Sequence, residues 1–199
     1  MSSPLPIMRI MKTVFAELGI PYLIGGSIAS SIHGFPRTTH DVDFVADVKD
    51  QHVPALVAAL ETDCYLDDEL MYDAIRDRSM FSVLHLSSMH KADVFLVQAT
   101  PWAAETLARR REKVFRLGED EEVIYVASPE DMVLQKLIWF RMGGGVSDRQ
   151  WGDITGMLKV QAEKLDYAYL RRWANTLGLS ELLNQALSDS GIELPPAEA

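Results

Sequence analysis

Between Tyr22 and Asp47 the chain reads YLIGGSIASSIHGFPRTTHDVDFVAD. An apolar stretch, Tyr22–Ile24, runs into Gly25-Gly26-Ser27. A run of small residues over 27–33 follows and is stopped by Gly34 and Pro36. Val42–Ala46 then alternates with carboxylates. This punctuation predicts a strand, a glycine break, a tightly packed helix, a loop and a second strand. No other stretch restricts the fold, or the chemistry, as much.

The physics of the segment points to an anion beside a cation. Two glycines let a ligand approach the backbone closely. A helix starting at Ser27 presents unpaired N–H groups and a partial positive charge, so it can hold a phosphate. The Ser27 hydroxyl adds a donor. Asp41 and Asp43 stand two apart on a strand and therefore share a face. Two ionised carboxylates about 4 Å apart repel by roughly 4 kcal/mol at an effective dielectric near 20. Keeping both ionised calls for a cation, and an all-oxygen donor set favours Mg²⁺ or Mn²⁺. A phosphate cradle next to such a site suggests phosphoryl or nucleotidyl transfer.

The rest of the chain reads as an α/β core followed by helices. Helical spacing covers 5–18 and ends at Gly19; 50–61 and 67–78 are also predicted helical. Met80–Leu86 and Ala92–Val97 read as strands joined through Ser87-Ser88. A helix around 102–110 leads to strands at Lys113–Leu117 and Val123–Val126. Ser128-Pro129-Glu130-Asp131 is a helix start with a capping serine, a proline in the first turn and early acids. Helices follow over 129–142, 148–163, 166–177 and 179–188, with a flexible break at Gly143-Gly144-Gly145 and Asp148 as a helix cap. The tail from Gly191 carries two prolines and is expected to fray. The expected class is α+β, with an α/β core over 1–127 and a helical region over 128–199.

Composition narrows the function classes. The 199 residues are 48% hydrophobic and 24% charged, enough for one compact domain or a domain with a small appendage. A net charge of -10 argues against a protein that coats nucleic acid, though a nucleic-acid end could still be held locally. The single cysteine, Cys64, rules out an intrachain disulfide framework and a multi-cysteine zinc site. No run approaches the roughly 18–20 apolar residues of a membrane span. The N-terminus lacks a long apolar stretch with a small-residue cleavage site, so a cytoplasmic protein is expected.

The Tyr22–Asp47 segment resembles the polymerase-β-type nucleotidyltransferase superfamily: an apolar strand, Gly-Gly/Ser, roughly a dozen residues, then Asp-h-Asp-h. Gly26-Ser27 and Asp41-Val42-Asp43-Phe44 match it with thirteen residues between. A third carboxylate on a later strand is matched by Asp93 in HKADVFLV, 90–97. The resemblance implies the nucleotidyltransferase fold, a small mixed sheet flanked by helices, with the C-terminal helices completing the cleft. It implies two-metal chemistry on an NTP. Asp41 and Asp43 would bind both ions and the phosphates, and Asp93 would bind the second ion and activate the acceptor hydroxyl. Gly25, Gly26 and Ser27 would cradle the nucleotide. Arg37-Thr38-Thr39-His40, just before the acids, and Ser128–Leu158 resemble the AbiEii-type toxin nucleotidyltransferases and their minimal relatives. In those relatives a lysine after Ser-Pro-Glu-Asp and an acid on the next helix belong to the active site; here they match Lys136 and Asp153.

Each of these residues also has a plainer reading. Lys136 is flanked at helical spacing by Met132, Trp139 and Phe140, so it either snorkels or aims at the triphosphate or a carboxylate. Asp153 could pair with Arg149 one turn away. Arg37 could contact the triphosphate or be a solvent-exposed loop arginine. Arg109–Lys113 with Arg116 form the only basic cluster, a guide for an RNA end or a solvated face. Trp139, Phe140, Trp151, Tyr167, Tyr169 and Trp173 are expected mostly in the core. The resulting expectation is an EC 2.7.7-type enzyme moving NMP from an NTP to a hydroxyl with release of pyrophosphate. Candidate acceptors are tRNA or another RNA, a protein or a small molecule, and a toxin would have a cognate antitoxin. The alternative is a non-catalytic nucleotide-binding or protein-interaction module that retains the fold.

Overall fold

The computed structural model describes residues 4–117 and 120–193, with the side chains of 115–120 left aside. Residues 194–199 of the proline-containing tail and the Arg116 side chain lie outside the described set.

In chain order the elements are α1 (Leu5–Glu17), β1 (Tyr22–Ile24), α2 (Gly26–His33), β2 (Asp41–Ala46), α3 (Val53–Leu60), β3 (Cys64–Tyr65), α4 (Asp68–Asp77), β4 (Met80–His85) and β5 (Lys91–Leu96). Then come α5 (Pro101–Ala108), β6 (Arg111–Leu117), β7 (Asp120–Val126), α6 (Pro129–Met142), α7 (Asp148–Gln161), α8 (Tyr167–Thr176) and α9 (Ser180–Asp189). Among the described residues, no helix is long and apolar enough to cross a membrane.

The chain divides into two compact units. The first runs up to Ile28 and from Thr38 to Ala127; the second takes Ala29–Arg37 and the chain from Ser128 onward. In the first unit seven strands form one mixed sheet in the order β3-β4-β5-β2-β1-β7-β6. β2 lies parallel to β5 and antiparallel to β1, and β1 meets β7 in parallel. Strand alternation decides which faces are buried. On β2, Val42, Phe44 and Ala46 are fully buried while Asp41, Asp43 and Val45 point the other way. Phe44 packs edge-on against Phe15 of α1 at 5.5 Å and against Tyr22 of β1 at 5.7 Å. Such aromatic contacts add about 0.5–1.5 kcal/mol each to their area burial.

The second unit is built on helices α6, α7, α8 and α9. Leu134, Leu137, Ile154, Met157, Leu170 and Leu183 form its buried apolar face. Ser128 caps α6 as its sequence predicts: its hydroxyl oxygen accepts from the Asp131 N–H at 3.1 Å. The two acids after Pro129 are not solvated. Asp131 is 1% exposed and takes hydrogen bonds from the Ser128 and Tyr169 hydroxyls, each at 2.6 Å. Glu130 accepts from the Asp166 N–H at 3.0 Å. These bonds satisfy groups whose burial without a partner would cost several kcal/mol.

Two local expectations are corrected. Ser147, not Asp148, caps α7: its hydroxyl accepts from the Gln150 N–H at 3.3 Å, and Asp148 is the first helical residue. Serine reaches the third amide as readily as aspartate does, so the pair Ser-Asp is ambiguous by type alone. Of the six C-terminal aromatics only Tyr169 and Trp173 are buried; the other four are half-buried, Phe140 and Trp151 against each other at 4.8 Å. The two-residue strand β3 had no sequence signal, being too short to show alternation.

Candidate active site

Two clusters of charged side chains contain the residues singled out by sequence, one in each unit.

In the first unit the cluster is written into the strand register. β1 ends at Ile24, and the Gly25 N–H donates to the Asp43 carbonyl at 2.8 Å. Gly26 then opens α2 with φ +53°, and a Cβ placed there would lie 1.7 Å from the Asp43 carboxylate. Only glycine satisfies both conditions, so the backbone at Gly26 lies directly against Asp43. Ser27 follows, 8% exposed. In the parallel pairing of β2 with β5, Asp43 stands beside Asp93 and Asp41 beside Lys91. The period of two puts all four on one face.

Asp93 is buried and both of its oxygens are engaged. Ser82 of β4, its neighbour in register, donates to Oδ1 at 2.6 Å, and the Lys91 ammonium lies 2.8 Å from Oδ2. The hydrogen bond to Asp93 raises the Lys91 pKa; desolvation opposes it, and the charges of Asp93, Asp41 and Asp43 add to it. Among the described residues no three His, Cys, Asp or Glu side chains form a group that could hold a metal ion. The cation beside Asp93 is that of Lys91. The donor chemistry nevertheless suits a hard divalent ion: Asp41, Asp43 and Asp93 offer carboxylate oxygens only, with Asp43 against the backbone of Gly26. Lys91 and Ser82 were missed from sequence. The Lys-Ala-Asp spacing on one strand was the available signal for Lys91.

In the second unit the cluster joins distant segments. The Lys136 ammonium of α6 lies 2.7 Å from Asp153 Oδ2 of α7. Arg37, in the loop after α2, donates from Nε to Asp153 Oδ1 and from Nη2 to Oδ2, both at 3.2 Å. The Lys136 side chain is only 5% exposed and that of Asp153 10%. Lys136 therefore aims at a carboxylate rather than snorkelling, Asp153 is engaged by Lys136 and Arg37, and Arg37 is held rather than loose. Burial would raise the Asp153 pKa, but the hydrogen bonds and charges of Lys136 and Arg37 outweigh it and hold the carboxyl below its usual range.

The Arg37 loop is tied down within the same unit. The Arg37 N–H donates to the Ser31 hydroxyl at 3.2 Å, and Gln161 donates to the His33 carbonyl at 2.8 Å. A Cβ on Gly156 would lie 2.9 Å from the Phe35 ring, so glycine there lets the ring rest against α7.

The remaining sequence candidates are less engaged with either cluster. His40 stacks on His90 at 6.3 Å, and His85 bonds Ser88 at 2.7 Å. In the basic stretch, Arg110 lies over the Tyr125 ring at 5.0 Å, while Arg111, Glu112 and Lys113 are exposed.

No protein-family model matches the chain, and no curated protein matches its sequence. Solved structures do resemble it. An antigenic nucleotidyltransferase-like protein from Paracoccidioides brasiliensis is 16% identical with a TM-score of 0.56, over 96% of this chain and 94% of its own. The antibiotic-resistance factor ANT(2'')-Ia in solution is 15% identical with a TM-score of 0.51, over 87% of this chain and 94% of its own. Its crystal structure with adenylyl-2''-tobramycin is 14% identical with a TM-score of 0.51, over 85% and 97%. The chain has the nucleotidyltransferase fold, the one its Gly-Ser and Asp-Val-Asp-Phe segment pointed to.

Proposed function

We propose that the protein is a divalent-metal-dependent nucleotidyltransferase, moving NMP from an NTP to a hydroxyl acceptor with release of pyrophosphate. The observation that carries this reading is the register of Asp41 and Asp43 with Asp93 on one sheet face, beside the glycine-lined start of α2. Gly25, Gly26 and Ser27 would receive phosphate oxygens at the helix start. Asp41, Asp43 and Asp93 would hold Mg²⁺ or Mn²⁺, which neutralises the phosphates and the charge that develops on the leaving pyrophosphate. In the transfer the acceptor oxygen bonds to the α-phosphorus while the bond from that phosphorus to pyrophosphate breaks. Asp93 takes the hydroxyl proton as it leaves, acting as general base. In the second unit Asp153 positions the Lys136 and Arg37 cations.

For the acceptor we favour a small hydroxyl compound. The net charge of -10 repels a polyanion, and one protein of the same fold is known with adenylyl-2''-tobramycin. An RNA 3′ end, with a cognate antitoxin, is the toxin-like outcome of the same test. Each of the four labelled NTPs is incubated with Mg²⁺ or Mn²⁺ and with aminoglycosides, total RNA or protein. Label should pass to an acceptor, and Asp43→Ala should reduce the rate by at least about 1000-fold while its circular dichroism stays native. Nucleotide binding without transfer to any acceptor would leave the non-catalytic module as the correct reading.

A further inference from the structure

We infer that Lys91 is a resident counter-cation of the carboxylate face, holding Asp93 while the site is free of metal and giving up that place when a divalent ion binds. The inference rests on the metal-site reading above and adds a device to it.

The register argues for it. Asp41, Asp43, Asp93 and Lys91 occupy the four corners of one parallel strand pair, so three like charges meet a single ammonium. The ammonium lies 2.8 Å from Asp93 Oδ2, and the Ser82 hydroxyl takes the other oxygen. Every short bond drawn to Asp93 thus comes from a group that a metal ion binding both oxygens would displace. A divalent ion coordinates oxygen at about 2.0–2.2 Å and cannot share Oδ2 closely with an ammonium of the same sign. Lys91 has somewhere to go: its side chain is 40% exposed, against 12% for Asp93. A four-carbon stem can swing into water with its charge still hydrated. Asp93, buried on its strand, stays. The lysine lets three acids coexist without metal, and its departure frees Asp93 to ligate and to accept a proton.

Lys91→Met and Lys91→Arg decide the matter, measured in the full chain without nucleotide. Mn²⁺ titration should show Lys91→Met binding about tenfold more tightly than wild type, the effect of removing a partly exposed competing charge, and Lys91→Arg near wild type. In EDTA Lys91→Met should melt below wild type, and saturating Mn²⁺ should raise its melting temperature by more than it raises that of wild type. A lysine that merely supports the fold would lower both melting temperatures and leave the affinity alone. Unchanged or weaker Mn²⁺ binding in Lys91→Met overturns the inference. Should that variant not fold, amide and side-chain NMR of wild type serves: adding Mg²⁺ should release the Lys91 ammonium from protection, and an unmoved Lys91 signal in a Mg²⁺-bound protein overturns the inference too. Failure of the metal reading looks different. Neither wild type nor Lys91→Met would bind Mn²⁺, or Asp43→Ala would bind it as well as wild type, and the inference would fall with it.

Discussion

The two charged clusters are assembled from the same residue types in opposite proportions. On the β2–β5 face three carboxylates meet one ammonium; at the α6–α7 contact one carboxylate meets an ammonium and a guanidinium. Among these contacts acids outnumber cations in the first cluster and cations outnumber acids in the second. They also differ in solvent. Lys91 stands 40% exposed beside Asp93, whereas Lys136 keeps only 5% of its side chain in water. An exposed pair contributes little to stability, about 0–1 kcal/mol, because water can replace either partner. A buried one depends on its partner, because the charge left behind has no water to turn to.

The largest test of that contrast is to remove the acid from each. Asp153→Ala strands the buried Lys136 and should cost about 3 kcal/mol in urea unfolding. Asp93→Ala relieves repulsion and leaves a partly exposed ammonium that can turn to water, though it also takes the acceptor from Ser82, and should cost about 1 kcal/mol. Equal losses would mean that burial does not separate the clusters. Gly26→Ala comes next. Its Cβ would overlap the Asp43 carboxylate at a φ of +53°, and a loss of about 2 kcal/mol together with nucleotide transfer is expected. Arg37→Lys keeps the charge but loses the two-pronged grip on Asp153, a loss of about 1 kcal/mol.

The smallest effect is one of pH. Asp153 titrates lower in the folded chain than in the unfolded one, so its stabilisation is complete above the ordinary carboxylate pKa of about 3.9. It is lost as the pH falls further, through the lower folded value. The stability gap between wild type and Asp153→Asn should therefore be constant from pH 5 to 7 and narrow below about pH 4. A gap that widened in acid would place the Asp153 pKa on the wrong side of its ordinary value.

The clusters differ as well in how far they could be read from the chain. Asp41 and Asp43 were legible because strand periodicity is short: two residues return a side chain to the same face, and the Gly-Gly-Ser turn marks where the strand stops; Asp93 came from resemblance. Lys136 and Asp153 came from resemblance, not from spacing. Their contact spans 17 residues and that of Arg37 with Asp153 spans 116, beyond any local periodicity. The expected i,i+4 partner of Asp153, Arg149, was reasonable for an isolated helix and lost to partners brought by packing. Asp131 shows the same limit. Its place in a first turn was readable, but Tyr169, 38 residues on, was not.

By itself, the sequence determined the strands other than β3, most of the helices, the glycine break after β1 and the shared face of Asp41 and Asp43. Each of these depends on neighbours within a few residues, where backbone geometry repeats. Only the tertiary structure decided the strand order, the attachment of Ala29–Arg37 to the second unit, the Lys91 bond to Asp93 and the partners of Asp153. These depend on which buried surfaces meet, and side-chain charge finds its partner only after apolar packing has chosen the neighbours.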